Sequence, residues 1–530
     1  MRDGAILIVG GGVGGLAAAV ALRRAGFEAL VFERADEIRE VGAGLTVQNN
    51  GMAALRRLGL DQEVAARGEV LRRASLLRWD GMALSSLELA NVTIELGAPA
   101  VGIHRARLLA VLLGALDPAA VSTGSEAAGF EADRDGITLA LRDGRHVRGA
   151  ALVGADGLQS LVRSRLLGDG PPRPAGYLAW RGVCAPPQPP LDGAAVETWG
   201  CGRRFGRLGI GDGRVYWYAT LNSRAVPAGA GSDPSSTQAD LLRLFAGWHP
   251  PVTALIAATP SEAILRSDLW YRPPARRWGH GRVTLLGDAA HPMTPDLGQG
   301  ACQAIEDAVV LAAALRDTTD LARGLRTYEA WRRPLANRVC SRSRRAGRIA
   351  QWQRRPMCAL RDQMVRLMPA SAAQRQLLAT LRFHEPPPRP SSMCHNAPAA
   401  PFRKTMVNGE PEIVIATARL EPSALAWLVE AFFGDMVKYV VDVERRIAAV
   451  GGELHADAEQ VLLDGGSRQA DLWGANYYPG KGPDHCIEYT ALINIRPAQG
   501  NRGMLIADES IRSRVREITF TLIGHGEPLA

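Results

Sequence analysis

Ala5-Ile6-Leu7-Ile8-Val9-Gly10-Gly11-Gly12-Val13-Gly14-Gly15, continuing to Ala25 and then to Glu28-Ala29-Leu30-Val31-Phe32-Glu33, decides the fold. Ala5–Val9 is an unbroken apolar run, the pattern of a strand buried on both faces of a parallel sheet. Val13–Ala25 is rich in Ala and Leu and stops before Gly26, a residue that ends helices. Glu28–Phe32 reads as a second strand. The three pieces make a βαβ unit, whose crossover is right-handed. Gly10, Gly12 and Gly15 fill the slots of G-x-G-x-x-G. The first glycine makes the tight turn, the second admits a pyrophosphate to the backbone, and the third lets helix pack on strand. The start of the helix adds unpaired N–H groups and a positive dipole end. Glu33 closes the second strand about 20 residues on, where an acid holds a ribose 2′-hydroxyl and repels a 2′-phosphate. These residues predict a dinucleotide site suited to FAD or NAD rather than NADP, and leave FAD and NAD unseparated.

Two later segments separate them. Gly154-Ala155-Asp156-Gly157, with Ser160 and Arg163 beyond it, follows the apolar strand Ala151–Val153. Gly287-Asp288-Ala289-Ala290-His291-Pro292 follows Val283–Leu286 and runs into Pro295-Asp296-Leu297-Gly298-Gln299-Gly300-Ala301-Cys302. Glycine fingerprint, Asp-Gly segment and Gly-Asp segment, in that order, resemble the single-component aromatic hydroxylase family of flavoprotein monooxygenases. The resemblance covers about residues 4–380. Within the family the chain is similar to the branch holding salicylate hydroxylase, FAD-dependent urate hydroxylase and zeaxanthin epoxidase. It implies tightly but non-covalently bound FAD, with NADH or NADPH as co-substrate. It also implies the reaction: NAD(P)H reduces FAD, O2 adds at flavin C4a, and the hydroperoxide passes its distal oxygen on. The acceptor would be a small, electron-rich aromatic, heteroaromatic or polyene substrate, hydroxylated or epoxidised.

The same resemblance assigns residues. Gly10, Gly12, Val13, Gly14 and Gly15 would cradle the cofactor, with Glu33 and Arg34 at the end of the second strand and Gly44 after it. Arg105, in Ile103–Leu108, matches an arginine that contacts the cofactor in relatives; on its residues alone it also reads as a surface arginine opening a helix. Asp156 would lie near the pyrophosphate and the nicotinamide, and Asp-Gly is equally good turn chemistry. Asp288, at a strand end, can accept hydrogen bonds from ribityl hydroxyls. Pro295, Gly298, Gly300 and Ala301 would lie against the flat ring, and the helix beginning near Gly300 aims its positive end at it. His291 reads as a turn residue, not a base. Arg204, Tyr216 and Asp296 match positions that hold a polar, heteroaromatic substrate in the urate-hydroxylase branch, and a carboxylate or phenol near a substrate can draw off its proton. Arg204 as a sheet-surface residue and Tyr216 as a core aromatic are the plainer readings. Alternation in Val215–Tyr218 sends Tyr216 and Tyr218 to one face and Trp217 to the other. Gly206–Gly213 reads as a turn, and no second nucleotide fingerprint is present.

The expected fold class is α/β. A Rossmann-like FAD-binding domain of the para-hydroxybenzoate hydroxylase type, residues 1–70, 101–172 and 273–384, is interleaved with an antiparallel-sheet substrate domain, residues 71–100 and 173–272. Residues 385–404 hold a proline-rich linker, too stiff and extended for a core. Residues 405–530 read as an α+β domain, with helices at Glu421–Phe433 and Asp508–Leu522 and strands at Met436–Val443 and Cys486–Ile495. Residues 412–526 resemble a small uncharacterised bacterial domain family, through Val450–Glu459 and Leu492–Asn501. His455, Asp457 and Arg496 are candidates there for a polar site, or for turns and caps.

Composition bounds the rest. With 47% hydrophobic and 22% charged residues, the 530-residue chain has an ordinary globular balance and needs no disulfide or structural metal. Its seven cysteines show no CxxC spacing, which argues against a zinc site and for a reducing compartment. No signal peptide is visible, and no apolar run is long enough to span a bilayer, so the expectation is a cytoplasmic protein. The net charge of +8 is uneven: nine arginines and no acid from Arg332 to Arg355, against 17 acids and 11 bases from Glu412 to Ala530. The basic stretch reads as a solvated helix, or as a dock around Arg338–Arg348 for the acidic module. Nothing points to nucleic acid, and monomer and homodimer stay open. Two other functions fit: a flavin reductase or oxidase on the same scaffold, and an idle flavoprotein acting through its C-terminal module.

Overall fold

The computed structural model of the chain describes residues 4–38, 43–133, 135–185, 191–226, 236–316, 318–384, 406–407, 410–411, 413–452, 455–496, 500–501 and 503–529. They fall into two compact units, Met1–Pro390 and Ser391–Ala530. The proline-rich linker lies outside the described residues. Among the described residues no helix is long and apolar enough to cross a membrane.

The first unit is built on a five-stranded parallel sheet in the order Val283–Leu285, Ala151–Gly154, Ile6–Val9, Ala29–Phe32, Val121–Ser122. Ile6, Leu7 and Ile8 are fully buried, as an apolar run without alternation requires. The helices Val13–Arg24 and Gly300–Arg316 pack on each other and cover this sheet. All three glycine-bearing motifs thereby arrive at the carboxyl ends of three adjacent strands, where ligands bind in open α/β sheets.

The second layer is a seven-stranded sheet, ordered Leu265–Tyr271, Arg173–Cys184, Val215–Asn222, Arg203–Gly209, Ala194–Trp199, Arg73–Arg78, Ala83–Glu88. It is mixed rather than antiparallel, because Ala194–Trp199 and Arg73–Arg78 run parallel. These two strands come from the two separate excursions, so no hairpin constrains their direction. One face, with Leu178, Trp180, Phe205 and Trp217, packs on the helices Thr237–Leu244 and Pro250–Ala257. The opposite face carries Tyr177, Arg181, Glu197, Arg204, Tyr216 and Tyr218. Gly206 and Gly209 lie within a strand rather than a turn; the turn is Gly211-Asp212-Gly213, all at positive φ. Gly206 is glycine because the ring of Tyr218 lies across it.

The basic stretch is not simply a solvated helix. It makes up the second half of the helix Leu321–Ala350 and runs on to the start of the next helix, and Arg332 within it is 1% exposed and paired with two buried acids.

The second unit has a five-stranded antiparallel sheet, ordered Val414–Ala416, Ile447–Val450, Val437–Asp442, Leu472–Tyr477, Ile487–Glu488. Pro422–Phe432 and Glu509–Leu522 cover one face through Tyr439, Trp473 and Ile518. His455–Asp464 covers the other through Val440 and Leu462. The strand expected over Cys486–Ile495 is only Ile487–Glu488, followed by a 3-10 turn at Leu492–Asn494. There Asn494 bonds both the N–H and the carbonyl of Gly474, so a side chain replaces the ladder.

Candidate active site

The phosphate cradle follows from backbone geometry. Gly10 has φ +108°, and a Cβ there would overlap the carbonyl of Ala155. A Cβ on Gly15 would overlap the Gly10 carbonyl, so helix and strand touch only because both positions lack side chains. Gly12 differs: a Cβ there meets no atom within 4 Å among the described residues. No side chain caps the helix Val13–Arg24 behind it, so its first N–H groups face that open space. Glu33 closes the turn from the side, accepting from Gly11 N at 2.6 Å and from Ala35 N at 3.0 Å. Arg34, next to it, is exposed.

At the far end, Asp288 follows the strand Val283–Leu285 in a turn that begins at Gly287, φ +60°. Its Oδ1 lies 3.9 Å from where a Gly300 Cβ would be, so the carboxylate and the head of the helix Gly300–Arg316 face one groove. Asp288 is exposed to that groove; the surrounding protein still disfavours its charge and pushes the carboxyl up, while the charges of His291 and Arg105 oppose. Arg105 is exposed and opens the helix Arg105–Gly114, which is the plainer of its two readings. Gly298, at φ +62°, and Pro295 bracket a short 3-10 turn before that groove, and Ala301 packs against the core. An open backbone at Gly12, bare glycines at 298 and 300, and a carboxylate facing the helix end fit a dinucleotide carrying a flat ring.

Asp156 has local work. Its Oδ1 accepts from Ser160 Oγ at 2.5 Å and its Oδ2 from Val162 N at 3.1 Å, which ties down the helix Leu161–Leu167. The first turn of that helix holds Arg163, quoted with its motif above but given no role there. Arg163 is fully buried and donates to the carbonyls of Ala289, at 3.0 Å, and Ala290, at 2.7 Å. It thus clamps the second motif to the third.

Beneath the Gly-Asp turn lies a buried polar network that the sequence did not reveal. Asp307 Oδ2 accepts from Gly287 N at 3.0 Å and pairs with His291 Nε2 at 2.6 Å, and its Oδ1 accepts from Arg332 Nε at 2.7 Å. Arg332 also reaches Glu306 at 2.7 Å, and Glu306 accepts from Asn50 at 2.5 Å. Burial works against the Asp307 charge, but His291 and Arg332 outweigh it and hold its carboxyl below the usual range. His291 is therefore a structural partner of the turn, as its motif suggested. The signal for Arg332 was the arginine run itself, which hides one inward residue among outward ones.

The expected substrate residues meet in part. Arg204 Nη2 donates to Asp296 Oδ1 at 2.6 Å, and Nη1 to Glu197 at 3.2 Å. Both side chains of the first pair are shielded, at 4% and 1% exposure. Burial disfavours the Arg204 charge, but Glu197 and Asp296 prevail and raise its pKa. Its Nε, also buried, has no partner among the described residues. Tyr177, which sequence reasoning missed, donates to Asp296 Oδ2 at 2.6 Å. Alternation along Arg173–Cys184 put it on the face of Arg181, the one available clue. Burial and the Asp296 charge push its phenol up. Gly347, inside the long helix, lies where its Cβ would overlap the Asp296 carboxylate; an isolated glycine in a helix marks such close approaches. Tyr216 lies on the same sheet face but apart from this cluster, opposite Leu208 and packed where a Gly44 Cβ would overlap it. Burial raises its phenol too, with Arg181 opposing.

In the second unit the three polar candidates do not converge. His455 Nε2 lies 3.0 Å from the Ala475 carbonyl. Arg496 bonds Glu459 at 3.2 Å and Ile493 O at 3.0 Å and lies over the Trp473 ring. Asp457 is exposed.

The family described as "FAD binding domain" matches residues 3–343, and one described as "Protein of unknown function (DUF5674)" matches residues 414–522. Aurachin C monooxygenase/isomerase of Stigmatella aurantiaca is 44% identical over 378 residues, 71% of this chain and 98% of that protein. FAD-dependent urate hydroxylase of Klebsiella pneumoniae is 38% identical over 62% of this chain and 85% of its own length. The crystal structure of Klebsiella pneumoniae HpxO complexed with FAD and uric acid shares the fold at TM-score 0.68 and 33% identity, covering 72% of this chain and 97% of that one. The chain belongs to the FAD-binding-domain family of flavin-dependent monooxygenases and carries behind it a small domain of an uncharacterised family.

Proposed function

We propose that this enzyme oxygenates a small, polar, electron-rich heteroaromatic substrate held by Arg204, with Asp296 taking up its proton and Tyr216 on the wall beyond. The buried Arg204–Asp296 pair, which ties the sheet to the loop that would meet the flavin ring, carries the reading. Bound FAD would supply the redox chemistry, drawing electrons from NAD(P)H and activating O2. Gly10, Gly12, Val13, Gly14 and Gly15 would hold its pyrophosphate, with Glu33 and Arg34 toward the ribose. Gly44, Arg105, Asp156, Asp288, Pro295, Gly298, Gly300 and Ala301 would lie along its length.

The side chains make a coherent proton path. Arg204 is kept charged by two carboxylates and retains one unpaired buried donor, suited to a substrate carbonyl or anion. Asp296 sits between that cation and the Tyr177 hydroxyl, a position from which a carboxylate can accept a proton in a dry setting. Loss of that proton makes the ring more electron-rich, which electrophilic oxygen transfer needs. Relatives named for urate hydroxylation support a heteroaromatic ring as the substrate class.

NADH and NADPH oxidation and O2 uptake by the purified protein, against purines, phenols, hydroxybenzoates and terpenoids, with product masses, tests this. A product gaining one oxygen atom supports it. Stoichiometric hydrogen peroxide without an oxygenated product favours an oxidase or reductase. Bound FAD with no substrate-stimulated oxidation favours an idle flavoprotein.

A further inference from the structure

The helix Arg355–Leu367 presents an unusual surface. Met357, Leu360, Met364 and Leu367 recur at helical spacing along one side, and the last three are 58%, 61% and 70% exposed. Met368 follows them, also exposed. Scattered exposed apolar residues are ordinary, but a continuous stripe on a soluble protein marks a contact surface.

The helix is not a loose end. Its inner side is fixed by Arg361, 2% exposed at its side chain, which donates to Ala350 O at 2.9 Å and Gly200 O at 3.3 Å and lies over the Trp199 ring. Cys358 adds a bond to Trp352 O at 3.1 Å. The helix packs on the strand Ala83–Glu88. The hairpin leading into that strand lies close enough for the Asp362 charge to act on Arg78, and it presents Trp79 at 44% exposure.

Charge says what covers the stripe. From Arg332 to Arg382 the sequence holds thirteen arginines, of which Arg332 and Arg361 are buried and Arg382 is paired with Glu95, and one acid. That acid, Asp362, is paired with Arg361 at 2.8 Å. Arg354, Arg355 and Arg366, at the two ends of the helix, are exposed. A second copy of the chain meeting this face across a two-fold axis would set arginine against arginine. A surface that is apolar inside and anionic outside matches stripe and flanks together.

We propose that the helix Arg355–Leu367, with Trp79 beside it, docks this enzyme on an anionic lipid bilayer. Leu360, Met364 and Leu367 enter the boundary between headgroups and acyl chains, and the arginines bind headgroup phosphates. Unbranched Met and Leu side chains adapt to a fluid phase better than to a shaped protein pocket.

Vesicle flotation of the full-length protein tests it, with vesicles of phosphatidylcholine alone and of phosphatidylcholine with about one-third phosphatidylglycerol. Binding to the anionic vesicles, weakened by salt, is expected. The combined variant L360S/M364S/L367S should lose at least about tenfold in partitioning. Arg355→Gln and Arg366→Gln should each lose about fivefold, on anionic vesicles only. FAD content and unfolding midpoint of these variants, equal to those of the parent, show that the fold is intact. Protein that stays unbound with both vesicles overturns the proposal. So does a serine variant that binds like the parent. So does a variant whose only change is a lower sedimentation mass, which would make the stripe an interface between copies.

Discussion

The Arg204 guanidinium and the Asp296 carboxylate meet at 2.6 Å across 92 residues of sequence, one from the start of a sheet strand and the other from the turn before the helix Gly300–Arg316. That contact joins the seven-stranded sheet to the loop that would lie against the flavin.

Asp296→Ala is expected to lower oxygenated product per NAD(P)H by about a hundredfold or more while FAD content is kept. Breaking a buried pair also costs about 3–5 kcal/mol of stability, because Arg204 is left under-compensated. Tyr177→Phe removes one hydrogen bond to the same carboxylate and should cost about 1 kcal/mol, with a milder loss of coupling. Product masses, NAD(P)H consumption and denaturant unfolding measure these together. Coupling unchanged in Asp296→Ala would remove this residue from the chemistry.

Gly347→Ala should act at a distance. Its new Cβ would overlap the Asp296 carboxylate and push it off Arg204. A displacement on the order of an ångström at a reacting group can cost about a hundredfold in rate. A kcat/KM equal to the parent's would show that Asp296 does not need this position.

Two glycines of the fingerprint should separate fold from cofactor. Gly15→Ala collides with the Gly10 carbonyl and should destabilise the protein by about 1–3 kcal/mol even without flavin. Gly12→Ala meets no atom within 4 Å among the described residues and should leave the flavin-free unfolding midpoint alone, yet lower the flavin bound per chain. Full flavin occupancy in Gly12→Ala would place the pyrophosphate elsewhere.

Arg332→Met strands the buried Glu306 and Asp307 carboxylates and should cost about 3–5 kcal/mol. Asp307 holds Gly287 N, so flavin should also dissociate faster. Lysine should not rescue, because the guanidinium contacts the two carboxylates and Gln303 together. A variant melting with the parent and retaining flavin would make the network dispensable.

Burial lowers the pKa of His249, with Arg207 adding to the effect and Asp80 opposing it. A histidine held neutral in the fold binds fewer protons than in the unfolded chain. Its stabilising contribution is therefore complete above about pH 6.5 and is lost as pH falls below that value. Denaturant midpoints followed downward from about pH 8 should drop, and His249→Gln should flatten the slope within this window. An identical slope in the variant would assign the acid lability to other groups.

Much of the fold was legible because local pattern and global role coincide. An unbroken apolar run can be stable only in a doubly covered strand, and glycines spaced as at 10, 12 and 15 serve few purposes before a helix. The parallel pairing of Ala194–Trp199 with Arg73–Arg78 was not legible, since nothing local links strands more than a hundred residues apart. The strand expected over Cys486–Ile495 failed for a related reason: asparagine side chains took over the ladder.

Residue type and short spacing were enough for a dinucleotide site and the strand ends that receive it, and the resemblance carried by the three motifs narrowed the dinucleotide to FAD and pointed to Arg204, Tyr216 and Asp296. Tertiary structure alone decided that Arg204 bonds Asp296, that Tyr177 joins them while Tyr216 stands apart, and that Arg332 turns inward among outward arginines. Pair contacts depend on which faces the long-range packing brings together, and a period of two or of 3.6 residues names a face without naming its partner.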